Sequence, residues 1–472
     1  MLAHVHGPSC SGKPDEAIDV LRTGIAAVES SSSSSSSSSL IDKVALLLAW
    51  SDAEAARGDL RGALRRAASA RDALAEGEEN KSSLSLCLRL LVADASVRNS
   101  LALPSFPSSP SSSSPSVSGA GETALLAESE LELELAVADA ASLSSLFPGS
   151  AVAQAAASGI KALFAHGRRS RELARGAAEE VAKALPEAER DIQKGEEESE
   201  TATTTAAAAA ALASLAASRA AGVLLACEQA PAAIELYSKA VELAERARRR
   251  RKEGDENQFL ILSPLAAADA SLASLCGRAQ ALSFSALPLS PPQEASKDAG
   301  DALSAFDAEI KDLQLRRPEA VASPLLLILA QVSSRSGQVL VAEGLFRRGG
   351  QLLGVLSSPS SSSSKSANRD VVSPSVASAL AWRHAQLLTA LPQRGREAGE
   401  LAEAAAAINA KEEEQKNSRG GGAPSSSSSS LEACRSELES SLGTLDALTG
   451  KGNKGTGVVV DAAARTVLPW LV

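Results

Sequence analysis

Gly7, Gly12 and Lys13, in the stretch "HGPSCSGKP", carry the spacing of a phosphate-cradling loop: glycine, four residues, glycine, lysine. In such a loop backbone amides hold the inner phosphates, the lysine reaches the outer ones, and the next residue, Ser or Thr, lends its hydroxyl to magnesium. Here that next residue is Pro14, and only the residues Met1 to His6 precede the loop where a buried strand belongs. The segment is therefore expected to be a turn; a nucleotide-binding enzyme or regulator built on the Gly7–Lys13 loop is the alternative. His4, His6 and Cys10 could ligate a metal ion, yet three ligands on a solvated terminal segment lack the second shell that fixes a site. His166 and His384 are the remaining two of four histidines, which excludes an HExxH helix, and no GxSxG elbow occurs. Both are expected on helix surfaces or at satisfied packing positions. No catalytic residue, metal ligand or cofactor is expected, and the chain reads as a non-enzyme.

The elements that would position any site follow from composition. Of 472 residues, 44% are hydrophobic but only 2% aromatic, so the core must be built from Ala, Leu and Val. Ala is the best helix former and lets helices approach closely, whereas strands favour β-branched and aromatic residues. An all-α fold is expected. A net charge of −10 argues against nucleic acid as a partner, because phosphate neutralisation needs an excess of Lys and Arg. Five cysteines, Cys10, Cys87, Cys227, Cys276 and Cys434, form no CxxC pair and read as buried thiols of a reducing compartment. Without an uninterrupted apolar signal core or a long charge-free span, neither secretion nor membrane insertion is expected, and the cytoplasm is the expected location. "RARRRRK", Arg246–Lys252, is read as the cationic end of a helix, with nuclear import as the alternative. "KGEEESE", Lys194–Glu200, is read as a solvated linker.

Low-complexity tracts divide the chain. Ser30–Ser39, Pro104–Ser118, Ser357–Ser366 and the "GGGAPSSSSSS" that ends at Ser430 offer too little apolar surface to offset the entropy of ordering them. The expected organisation is helical throughout 1–29, 40–103, 121–356 and 374–415, with linkers at 30–39, 104–120, 357–373 and 416–430 and a C-terminal helix and tail over 431–472.

Within the helical parts one pattern recurs: an apolar helix, a short turn, then a second helix with small or large apolar residues spaced i, i+4, i+7. It reads Ala63, Ala67, Ala70 after the turn at Gly58 and Asp59; Ala233, Tyr237, Ala240; Ala342, Phe346, Gly349 after Gly337; and Ala398, Ala402, Ala405, with Trp382 in the preceding helix. Aligning Gly12 with the other turns adds Ala17, Leu21 and Gly24, and makes Pro14 the start of a helix, where its missing N–H is harmless. That first copy is expected to be incomplete. Leu84–Val97, Thr123–Leu146, Ala151–Leu185, Pro264–Leu282 and Leu431–Leu448 are expected to be diverged hairpins.

The pattern resembles the tetratricopeptide repeat, a helix-turn-helix unit of about 34 residues. The resemblance implies a superhelical array of antiparallel helix hairpins with disordered Ser-rich insertions. It implies a concave groove lined by first helices, in which a partner's peptide or helix is held. Ala17, Ala63, Ala233, Tyr237, Ala240, Ala342, Phe346, Trp382 and Ala398 would pack the repeats. Leu48, Trp50, Asp52, Leu327, Gln331, Arg383 and Leu387 would line the groove. Family members that bind chaperone tails clamp a carboxylate with Lys and Asn at two first-helix positions. Here those positions hold Leu48 and Asp52, Ser218 and Gly222, Leu327 and Gln331, and Arg383 and Leu387, so no such clamp is expected. The implied function is a protein-interaction scaffold with a protein partner and no membrane. The alternative within that class is a dedicated subunit of an assembly such as the signal recognition particle, the cohesin loader or the anaphase-promoting complex.

Overall fold

A computed structural model describes residues 14–31, parts of 43–54, 60–75, 150–168, 170–198, 202–253, 264–285, 293–312, 319–352, 374–419, parts of 432–439, 459–461 and 466–468. The Gly7–Lys13 loop, His4, His6, Cys10, Leu48, Asp52, the Gly58 and Asp59 turn, Leu84–Val97 and Thr123–Leu146 lie outside the described residues, as do most of the low-complexity tracts.

Helices α1 (Pro14–Ser31) and α2 (Leu60–Ala75), with helical residues among 43–54, close around one small core of Ala17, Leu21, Trp50, Ala53 and Ala70. Pro14 does open a helix, and that helix runs two residues into the Ser30–Ser39 tract. Trp50 is the centre of this core. Its Nε1 donates to Glu54 Oε1 at 3.0 Å, and the Arg66 guanidinium lies 3.6 Å from the ring centroid. Ser51 Oγ donates to the Ala63 carbonyl at 2.8 Å, tying these residues to α2.

Ten further helices form five successive pairs: α3 (Ser150–Gly167) with α4 (Arg171–Glu198), α5 (Ala202–Ala226) with α6 (Ala230–Glu253), α7 (Pro264–Ser285) with α8 (Gln293–Asp312), α9 (Glu319–Arg335) with α10 (Val339–Leu352), and α11 (Pro374–Thr389) with α12 (Gly395–Arg419). Each pair packs on the next in the same manner: the second helix of one lies against the first helix of its successor, and consecutive first helices touch.

The turns repeat as closely as the packing. The backbone enters the left-handed region at Glu228 (φ 64°), Gly337 (φ 75°) and Gln393 (φ 66°), after α5, α9 and α11. Gly337 adopts this at no steric cost; Glu228 and Gln393 each carry about 1 kcal/mol of strain. The next amide reaches back to an orphan carbonyl of the finished helix: Gln229 N to Leu224 O at 2.9 Å, Gln338 N to Ser333 O at 2.9 Å, and, after α3, Ser170 N to Ala165 O at 3.0 Å. This is the Schellman closure. The same residues then accept the first bond of the following helix, from Ala233 to Gln229, Ala342 to Gln338, Ala174 to Ser170 and, in the last pair, Ala398 to Arg394. Three turns therefore share one closure, whereas in the last pair Arg394 N reaches Leu391 O at 3.4 Å; Ala174, Ala233, Ala342 and Ala398 are all buried.

Small residues in this register make room for large ones. Tyr237, 2% exposed, packs its ring directly on Gly277 of α7, so closely that a methyl group there would overlap the ring carbons. In the pair α9 and α10, Gly349 admits Leu380 of α11, whose Cδ1 would lie 2.5 Å from any added Cβ. Polar ties reinforce the stack. Arg171 donates to the Cys227 carbonyl at 3.1 Å, capping α5, and Arg278 holds Asp298 with two bonds of 2.7 and 2.8 Å between α7 and α8. The apolar stretch Ala209–Ala226 of α5 is long enough to cross a membrane, but 83% of it is buried inside the protein, as expected of a core helix.

The helical class is thus observed, and four further elements differ from expectation. Pro264–Leu282 is one helix, not a hairpin; its companion is α8. The acidic stretch is helical to Glu198, because Glu is a good helix former and solvent takes up the charge. α12 continues to Arg419, beyond the expected linker start at 416. Finally, the C-terminal tail contains a two-stranded antiparallel hairpin, β1 (Val459–Asp461) and β2 (Thr466–Leu468), paired Val459 with Leu468 and Asp461 with Thr466.

Candidate functional site

The first helices α5, α7, α9 and α11 present one face along the stack, and the hairpin β1–β2 lies on it. β1 rests against α5, α7 and α9, and β2 against α5 and α11. Val459 and Leu468 join the core built mainly of α3 to α6, whereas Val460 joins the core built mainly of α7 to α12. All three side chains are buried.

The face beneath them is apolar with a polar seam. Ser214 and Ser218 of α5 meet Ser274 of α7 at 3.3 and 2.7 Å, and Ser214 also donates to the Ala240 carbonyl at 2.7 Å. Small hydroxyl side chains let these first helices come close while satisfying one another. Gln280, fully buried, accepts from the Val460 amide through Oε1 at 3.3 Å and donates to Gln331 Oε1 at 3.5 Å. Gln331 Nε2 has no hydrogen-bond partner. Further along, Arg383 donates to Gln386 at 2.8 Å, and the Arg335 guanidinium sits 4.1 Å from the Phe284 ring centroid. Burial, with the like charge of Arg335 second, pushes the Arg383 guanidinium down to about 9, so it remains a cation at neutral pH.

Of the residues expected to line a groove, Leu327, Arg383 and Leu387 are buried in the second half of the stack and Gln331 is half-buried; Trp50 is buried in the separate N-terminal core. The expected packing residues Ala17, Ala63, Ala233, Tyr237, Ala240, Ala342, Phe346, Trp382 and Ala398 are all buried. Gln280 and the hairpin were not singled out from sequence. The hairpin has a local signal, the β-branched runs "VVVD" and "TVL" around a short loop. Gln280 has none, since its partner lies 180 residues away.

The described histidines and cysteines are enclosed. His166 and His384 are 2% and 1% exposed, which places both in the interior and not on helix surfaces. The His384 ring stacks on Phe346 with centroids 5.5 Å apart. Cys227, Cys276 and Cys434 are buried free thiols; burial pushes Cys276 up to about 12 and Cys227 upward, so both stay protonated and poorly nucleophilic at neutral pH. Among the described residues no group of His, Cys, Asp and Glu is arranged to hold a metal ion. No protein-family model matches the chain, and no curated protein is similar to it in sequence.

Proposed function

We propose that the chain is a non-enzymatic interaction scaffold: a tetratricopeptide-like superhelical array whose first-helix face receives a segment of a protein partner. The observation that carries this reading is the repeated register, in which Ala174, Ala233, Ala342 and Ala398 each bond back to the residue that opens their helix and are buried, in four of the five pairs. Stacked helix pairs with one register build a continuous face of first helices, and such faces bind extended or helical segments. Gln331 of α9 is half-buried, and its enclosed Nε2, without a hydrogen-bond partner, is a donor that a segment seated deeply on these helices would satisfy.

The test is affinity purification of the full chain with chemical cross-linking and mass spectrometry. A partner cross-linked to α7, α9 or α11 is expected, together with its loss on Gln331→Arg while the helical circular dichroism is retained. Cross-links confined to other surfaces, or retention indifferent to Gln331→Arg, would sink the groove reading. A magnesium-nucleotide titration completes the comparison: no saturable binding is expected, whereas micromolar binding lost on Lys13→Ala would favour a nucleotide-dependent protein instead.

A further inference from the structure

We propose that the first-helix face is a groove for an extended apolar segment, and that its resident ligand is the chain's own hairpin, Val459–Leu468, held in cis and replaceable in trans. This rests on the scaffold reading and adds to it what the groove takes and what occupies it.

Three observations lead there. First, the hairpin consists of two strands of three residues, and an isolated pair of that size does not hold its shape in water. Its order comes from the surface it lies on. Second, that surface is formed by α5, α7, α9 and α11, one helix from each of four successive pairs, so the hairpin is a common contact of four of the five first helices. Third, the contact uses the chemistry of peptide recognition. Val459, Val460 and Leu468 are fully or almost fully buried, and Gln280 Oε1 takes the place of a neighbouring strand's carbonyl by accepting the Val460 amide. A backbone bond of this kind is available to any extended segment, while the buried Val and Leu side chains select for apolar residues at those places. Gln331 accepts from Gln280 and holds that residue in place beside the contact.

Because the hairpin belongs to the same chain, its local concentration at the groove is on the order of millimolar, and a foreign segment must compete with it. Intramolecular occupancy lowers the apparent affinity for any such segment by that ratio without altering the site.

The main arm of the test keeps every residue of the array. A specific protease site placed in the Gly-rich stretch Gly450–Gly457 is cut in the folded chain, and a fluorescent synthetic peptide covering 457–472 is added in excess. The cleaved segment is expected to stay bound after cutting and then to exchange for the labelled peptide while the helical circular dichroism is unchanged. A peptide carrying Val460→Asp is expected to compete at least tenfold more weakly, and this change cannot unfold the array because it resides in the ligand. Gln280→Leu in the array should weaken the labelled peptide about fivefold, the loss of one hydrogen bond. Loss of helicity on cutting, exchange only when the array unfolds, or equal competition by the Val460→Asp peptide would each overturn the inference, since the hairpin would then be a fixed part of the core or an unselective contact. These outcomes are separate from those for the scaffold. Exchange without any cellular partner retained by the cut, peptide-free chain removes the scaffold reading and leaves the self-occupied groove, whereas retention of a partner without exchange does the reverse.

Discussion

Tyr237→Ala lowers the stability of the array by about 3–5 kcal/mol, the cost of removing a buried aromatic ring, and moves the thermal midpoint of the affected pairs down by about 10 °C. The ring is 2% exposed and fills the space between α6 and Gly277 of α7, so its removal leaves a cavity at the junction of two successive pairs, which the stiff helix backbones cannot close. Interactions in a stack reach only neighbouring pairs, so hydrogen exchange should quicken in α5 to α8 first and spare α11 and α12. A partner mutation makes the expectation specific to this contact. Gly277→Ala alone should also destabilise, by about 1–3 kcal/mol, because its methyl group overlaps the ring. In the Tyr237→Ala background the same methyl enters the cavity, and the penalty should vanish or reverse. The quantity to measure is the coupling across this double-mutant cycle by urea denaturation. Additive effects would show that Tyr237 and Gly277 do not meet, and the register of α6 against α7 would be wrong.

That register was legible in sequence because it is written locally. The small and large residues at Ala233, Tyr237 and Ala240, and at Ala342, Phe346 and Gly349, lie on one helix face, and Gly337 announces its own turn. Where the signal was less local the reading failed. α7 is buried on nearly every side, so it shows no polar stripe to mark it as a single helix, and its companion α8 begins beyond a Pro-containing connection. The turn at Gln393 lay between Pro392 and Gly395, the stronger turn signals, yet neither of those takes the left-handed position. The first-helix face could be placed from the repeat pattern, but its cover could not. Nothing in the neighbourhood of Leu327 or Arg383 reveals that a hairpin from the far end of the chain packs on that face, because this depends on contacts such as Val460 with Gln280. Three-residue strands are also too short for periodicity to separate them from an irregular tail.

Acidification from pH 7.5 to pH 5 destabilises the last two helix pairs by about 2 kcal/mol through His384, approaching about 3 kcal/mol below pH 4. The imidazole is 1% exposed, stacked on Phe346 of α10, and its Nε2 has no hydrogen-bond partner. Burial pushes its pKa down to about 4; Glu397 and Glu343 oppose that shift, and Arg347 and Arg394 add to it. The four charges form their own network, with Arg394 bonded to Glu343 at 3.1 Å and to Glu397 at 2.8 Å, and Arg347 to Glu343 at 2.9 Å. Its carboxylates are thus shared with arginines and are poorly placed to stabilise an imidazolium. The sign follows from which state takes up the proton. An unfolded histidine titrates near 6.5, so between 6.5 and 4 the unfolded chain binds a proton that the folded chain refuses, and stability falls with pH across that window. His384→Phe keeps a flat ring on Phe346 and removes the titration. It should be close to neutral at pH 7.5 and should recover most of the stability lost at pH 5, as read from urea midpoints at the two values. If the variant and the natural chain lose stability in parallel, other groups govern the acid limb, and His384 is not held neutral by its burial.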